Sequence, residues 1–163
     1  MAGAALGKVS SSSDGGYVLT FQRDFPLSQP KIWKAITAPD LLGRWLSDAE
    51  IELRIGGRIR LRGQCSVDGE VLVVRAPDLF KWTWPHPDHP RSEVEISLSA
   101  LSEAASRMTL SQTDLPRRHV LAVAAGWHTH LEALPMAAIG KRTSFDADRA
   151  AMHYRQYATA LVL

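Results

Sequence analysis

The stretch HVLAVAAGWHTHLEALPMAA (119–138) decides the fold. Val120, Ala124, Trp127, Leu131, Leu134 and Ala138 recur at four- and three-residue steps, which places them on one stripe of a long α-helix. Such a helix needs an apolar surface to lie on. Pro135 removes a backbone donor, so the helix is expected to kink there or to end its regular part.

The chain before His119 has the other period. Tyr17, Leu19, Phe21 and Phe25 stand opposite Thr20, Gln22 and Asp24, a half-buried first strand. Phe80, Trp82 and Trp84 alternate with Lys81 and Thr83. Val94, Ile96 and Leu98 alternate with Glu93, Glu95 and Ser97, and Met108 and Leu110 with Arg107, Thr109 and Ser111. These are meander strands with one wet face, and their apolar face is what the helix requires. Between the first strand and the meander, Ser28 caps a short helix with Pro30 in its first turn and Ile32, Trp33 and Ile36 on one side. Thr37-Ala-Pro39 starts a second short helix carrying Leu41, Leu42 and Trp45.

Two turns are expected. Gly56-Gly57 centres a hairpin between Ile51/Leu53 and Ile59/Leu61. A two-residue loop would pair Leu53 with Arg60. A three-residue loop, Ile55 to Gly57, pairs Leu53 with Ile59 and Ile51 with Leu61, and sets Glu52 opposite Arg60 and Glu50 opposite Arg62. Asp68-Gly69 is the second turn signal, leading into Glu70–Val74, where Val71, Leu72, Val73 and Val74 do not alternate.

The 163 residues suit one domain. The expected organisation is a disordered leader over 1–16, the folded domain over 17–140, and a tail over 141–163. The tail carries an added helix with Ala147, Ala150, Tyr154, Tyr157, Ala158 and Leu161 as its stripe. That helix is marginal alone, so it packs either on its own domain, as a lid over the cavity mouth, or on a second copy; the short link before it favours its own domain. The net charge of +2 gives no electrostatic ground for nucleic acid. Cys65 is the only cysteine, so no intrachain disulfide forms. The N-terminus MAGAALGKVSSSSDGG lacks the apolar run of a signal peptide, and no segment reaches membrane-spanning length. The expected location is the cytoplasm, with no membrane insertion.

Four stretches in order, PKIWKAITAPDLLGRWL (30–46), IGGRIRLRG (55–63), FKWTW (80–84) and AAGWHTHLEAL (124–134), resemble the heat-shock-protein-90 ATPase activator homologue-like family of the START-like SRPBCC superfamily. The resemblance covers roughly residues 17–140. It implies an α+β helix-grip fold: a curved antiparallel sheet wrapped around the long helix, two short helices after the first strand, and a hydrophobic cavity between helix and sheet. Gln112 stands where many relatives carry a histidine, which argues against acid–base work there, and Pro135 interrupts a helix that relatives continue.

The residues expected to bind a ligand are Trp33, Trp45, Trp82, Trp84, Met108, Gln112, Trp127 and His130. Their tryptophans can equally be core packing, since aromatics dominate cores. The resemblance implies that Trp45 and Trp82 face the space under the long helix. Gln112 and His130 would supply polar contacts. His128 lies further round the helix. His86 and His89 in PHPDHP read as an exposed turn: two prolines forbid a helical His-x-x-His site, and no third histidine is near in the sequence, so no metal or cofactor is expected. Arg58, Arg60 and Arg62 read as a solvated, charge-paired face. The expected function is binding of a small apolar or aromatic, lipid-like molecule by a monomer or homodimer. The alternatives are a cyclase- or hydrolase-type enzyme with a histidine base in the same cavity, and a co-chaperone-like module acting through its outer sheet face.

Overall fold

Alternation builds the sheet, and the change of period at residue 117 builds the helix that fills it. The computed structural model describes residues 3–163; residues 1 and 2 of the expected leader lie outside the described residues. In chain order the elements are β1 (Lys8–Ser11), β2 (Tyr17–Phe25), α1 (Gln29–Thr37), α2 (Pro39–Trp45), β3 (Asp48–Ile51) and β4 (Arg58–Arg62). Then come β5 (Val67–Arg75), β6 (Leu79–Thr83), β7 (Glu93–Ser102), β8 (Ala105–Leu115), α3 (Arg117–Ala138) and α4 (Ala147–Ala160). The strands form one curved antiparallel sheet, ordered β1-β2-β8-β7-β6-β5-β4-β3. Inward residues of every second position bury completely: Leu19 and Phe21 from β2, Phe80 and Trp82 from β6, Val94 and Ile96 from β7, Met108 and Leu110 from β8. Val120, Ala124, Trp127, Leu131 and Leu134 of α3 close the core over them.

The expected leader is shorter than sequence suggested. Lys8–Ser11 pairs with β2, with Val9 opposite Leu19. Four residues are too few to show a period, and the edge of β2 supplies the partner that makes them a strand.

The Gly56-Gly57 hairpin also differs in register. Ile51 pairs with Ile59 and Glu50 with Arg60, two residues away from the expected pairing. Leu53 is consequently 45% exposed. A shift of two leaves every side chain on its face, so alternation cannot choose between the two registers. The third strand chooses. Gly56 donates its N–H to the Val71 carbonyl and Val71 donates to the Gly57 carbonyl, both at 2.8 Å. A Cβ on Gly57 would stand 2.1 Å from the Glu52 carbonyl oxygen, so only glycine fits. The arginine face is charge-paired, chiefly through Asp68, which holds Arg58 at 2.6 and 2.8 Å; Glu52 pairs with Arg54 instead.

Asp68-Gly69 is no turn; both residues lie inside β5. Gly69 is needed because a Cβ there would stand 2.2 Å from the Thr83 carbonyl oxygen. The loss of alternation after Val71 has a cause: the register against β6 shifts between Val71 and Val73, leaving Leu72 as the extra residue of a bulge.

Helix α3 continues through Pro135 to Ala138 rather than ending there. The proline costs one hydrogen bond in the final turn, where few remain to be lost. Helix α4 packs on α3 of its own chain; of the expected stripe Tyr157 is buried and Ala150 and Leu161 are half-buried, whereas Ala147, Tyr154 and Ala158 are exposed and His153 takes a buried place outside the stripe. Tyr154 is 44% exposed. An apolarity pattern passes over histidine, yet His153 is buried by stacking on His128, ring centroids 3.9 Å apart. Among the described residues no helix is long and apolar enough to cross a membrane.

Candidate functional site

A cavity of about 220 Å³ opens between the outer end of the sheet and the first half of α3. Its walls include Trp84 just past β6, Gln112 of β8, and Val123, Gly126 and Trp127 of α3, with Leu46 and Cys65 at one end and His86, His89 and His119 at the other. The α3 positions follow from helical spacing: 119, 123, 126, 127 and 130 lie on one side. Gly126 matters here, because a Cβ at that position would meet nothing within 4 Å. A larger residue would project into the space.

The polar groups of the walls differ in what they have left to offer. Trp127 donates its indole N–H to Gln112 Oε1 at 2.7 Å, and Gln112 Nε2 donates to Ser92 Oγ at 3.0 Å. The one amide expected to greet a ligand is therefore engaged in orienting the Trp127 ring. His130 is different. Its Nδ1 lies 3.0 Å from the Trp45 carbonyl, which can only accept, so the hydrogen sits on Nδ1 and the lone pair on Nε2. Among the described residues that Nε2 has only the Cys65 sulfur within hydrogen-bonding reach, at 3.7 Å. Burial lowers the His130 pKa, opposed by the Trp45 hydrogen bond, so the ring is neutral at pH 7. His89 is also buried, and its Nδ1 has no partner among the described residues. Burial, then His86 and His119, lower its pKa as well.

The PHPDHP segment is thus not the plain exposed turn its prolines suggested. His86 and His89 stack with centroids 4.5 Å apart, and His119 meets both edge-on at 5.5 and 5.7 Å. The third histidine comes from the first turn of α3, thirty residues on in the chain, where sequence proximity could not find it.

Of the eight expected ligand residues, Trp84, Gln112, Trp127 and His130 come together on this cavity. The others do not. Trp33 lies on α1 with its ring against Phe80. Trp82 and Met108 are packed into the core at 1% and 0% exposure. Trp45 donates its indole N–H to the Ala35 carbonyl at 2.9 Å, and with His130 borders a second cavity of about 210 Å³ on the far side of that histidine. The resemblance placed Trp45 and Trp82 under the helix; Trp82 is packed in the core beside Phe80 and Trp84, ring centroids 4.8 and 6.3 Å away, and borders neither cavity. Gly126, Cys65, His89 and His119 were missed. Only Gly126 left a signal, as a glycine inside a strong helical pattern. Helix α4 contributes nothing to these walls, so a lid role for it has no geometric support.

Cys65 makes the chemistry of the cavity testable. Burial pushes its thiol up to about 11. The thiolate is the nucleophile, so alkylation by iodoacetamide at pH 7.5 is expected to be far slower than for a free thiol and to accelerate only as the pH climbs toward 11. Rapid labelling at pH 7.5, followed by mass spectrometry of the intact chain, would show that the thiol is not enclosed.

Comparison with known proteins agrees with the fold. No curated protein matches the chain. Among solved structures, CalU16 from Micromonospora echinospora superposes with a TM-score of 0.76 at 23% identity, covering 95% of this chain and 94% of that one. DynU16, from the dynemicin biosynthetic locus, gives 0.68 at 20% identity, over 76% of this chain and 47% of its own. An HSP90 activator from Plasmodium falciparum gives 0.54 at 21% identity, over 61% and 74%. Identities this low establish the shared fold. The family described as Activator of Hsp90 ATPase homolog 1-like protein matches residues 26–138, from the end of the first long strand to the last residue of the gripped helix, and the chain belongs to that family.

Proposed function

We propose that the protein binds a small, largely apolar aromatic molecule of one or two rings in the cavity beside Trp127. The observation that carries this reading is an aromatic-walled slot of about 220 Å³ with two buried ring nitrogens, His130 Nε2 and His89 Nδ1, lacking a strong partner. Ligand sites combine apolar walls with a few placed polar groups. An apolar cavity of about 150 Å³ already takes benzene, so this one suits a phenol or a small bicyclic compound whose hydroxyl donates to one of the imidazoles. The occurrence of a fold neighbour, DynU16, in the dynemicin biosynthetic locus is in keeping with a small-molecule ligand. A second reading rests on His130 alone. An imidazole oriented through Nδ1 with a free neutral Nε2 facing a cavity is arranged as a general base.

The test fills the slot from the protein side. Gly126→Leu should abolish binding in a screen of phenols and small bicyclic aromatics that quench tryptophan fluorescence in the wild type. It should also raise Tm, since replacing a helical glycine gains roughly 0.5–1 kcal/mol and the new side chain has room. A ligand at a hundredfold its Kd should stabilise the wild type by about 2.7 kcal/mol and leave the variant unmoved. If Gly126→Leu binds as the wild type does, or if no compound shifts either protein, the cavity is not a ligand site. Turnover of a bound ester or polyketone that disappears in His130→Gln while binding persists would establish the second reading.

A further inference from the structure

The opposite side of α3 carries a separate set of imidazoles that the cavity does not use. His128 and His153 are 2% and 3% exposed, and Glu132 lies one helical turn after His128. Both Nε2 atoms face one carboxylate oxygen: Glu132 Oε1 is 3.6 Å from His128 Nε2 and 2.5 Å from His153 Nε2. The other oxygen, Oε2, is held by Arg149 at 2.6 Å. The two Nδ1 atoms point away and are engaged, His128 with the Tyr157 hydroxyl at 2.8 Å and His153 with Gln156 Oε1 at 3.1 Å. An amide oxygen only accepts, so Nδ1 of His153 donates to it, and Nε2 is left facing Glu132. That Nε2 stands against a carboxylate oxygen, yet among the described residues it makes no well-aligned hydrogen bond. A ring nitrogen and a carboxylate oxygen so close need a positive centre between them, a proton or a metal ion.

We propose that His128, Glu132 and His153 form a binding site for a zinc-class divalent cation that ties α4 to α3. The three donor atoms lie within 4.8 Å of one another. A tetrahedral zinc with bonds of about 2.0–2.1 Å needs its ligand atoms roughly 3.3 Å apart, a spacing that the 3.6 and 2.5 Å separations of Glu132 Oε1 from the two Nε2 atoms bracket. Two imidazoles and one carboxylate suit zinc, cobalt or nickel and not magnesium or calcium. Tyr157, Gln156 and Arg149 bind the far atoms of all three ligands, the arrangement that orients metal ligands. The fourth position faces a groove bordered by Leu6, Met152 and Gln156, which admits water. Arg149 and Arg23 place positive charge nearby, which weakens the attraction for a cation. The second such group, His86, Asp88 and His119, differs in lying at the surface, with His86 and Asp88 exposed and His86 Nδ1 already accepting from the Asp88 N–H at 3.1 Å.

The experiment uses the full chain without a histidine tag. Zinc is expected to raise Tm in a concentration-dependent way that EDTA reverses and magnesium does not reproduce, and cobalt to give the visible bands of a four-coordinate site. Affinity should fall about tenfold or more in His153→Ala and Glu132→Gln and stay unchanged in His86→Ala. His153→Cys should restore binding and add a sulfur-to-cobalt charge-transfer band, which ties the site to residue 153 even if the alanine variant folds poorly. The proposal is overturned if the wild type shows neither a zinc-dependent Tm shift nor cobalt bands. It is equally overturned if binding survives His153→Ala and is lost in His86→Ala.

Discussion

Trp82→Ala is expected to lower unfolding stability by about 3–5 kcal/mol in urea titrations. The ring is 1% exposed, tilted against Phe80 at 4.8 Å and Trp84 at 6.3 Å. Its strand pairs on both sides, with Val71 and with Val94. It borders neither cavity beside His130, so truncation opens a new void with no existing space to merge into. Trp82→Phe should cost much less. The Trp82 indole N–H has no partner among the described residues, and an unpaired buried donor carries a penalty of about 1–3 kcal/mol that phenylalanine removes. An alanine variant that loses under about 1 kcal/mol would mean that one side of the ring is already open, and the walls of the binding cavity would then have to be redrawn to include it.

The second large effect belongs to Tyr157. It is fully buried, and its hydroxyl joins three elements: Gly7 donates its backbone N–H to it at 2.7 Å, and His128 Nδ1 lies 2.8 Å away. Tyr157→Ala should cost about 3–5 kcal/mol, as for other large buried aromatics. Tyr157→Phe keeps the ring and strands the two polar partners, for a cost of about 1–3 kcal/mol. The location of the damage is the sharper readout. Hydrogen exchange should accelerate at Gly7 and through β1 in the phenylalanine variant while the amides of β6 and β7 keep their protection. Uniform acceleration would mean that the hydroxyl does not fasten the N-terminal strand.

Much of this architecture was legible in the residues, and the parts that were not share a cause. The stripe from Val120 to Leu134 is buried as its spacing required, and Ser28 caps α1, accepting from the Lys31 N–H at 3.4 Å. Gln112 was placed inward correctly, but its partners could not be read, because Ser92 and Trp127 reach it from other elements. The hairpin register failed for a reason internal to strands: a slip of two conserves faces, and the deciding contacts came from Val71 on a third strand. The buried face of α4 was legible only in part, because periodicity counts apolar residues, whereas His153 is buried by another imidazole.

By itself the sequence determined the α+β class, the long helix gripped by a meander, the two short helices, and the inward residues of β2, β6, β7 and β8. Those are consequences of period, turn chemistry and capping, which act over a few neighbouring residues. Only the tertiary structure decided which tryptophans border a cavity and which fill the core, that His86, His89 and His119 form one cluster, and that His128, Glu132 and His153 form another. Each cluster joins side chains from elements far apart in the chain. No local pattern encodes such a meeting, because what brings the groups together is the packing of α3 against the sheet on one side and α4 on the other.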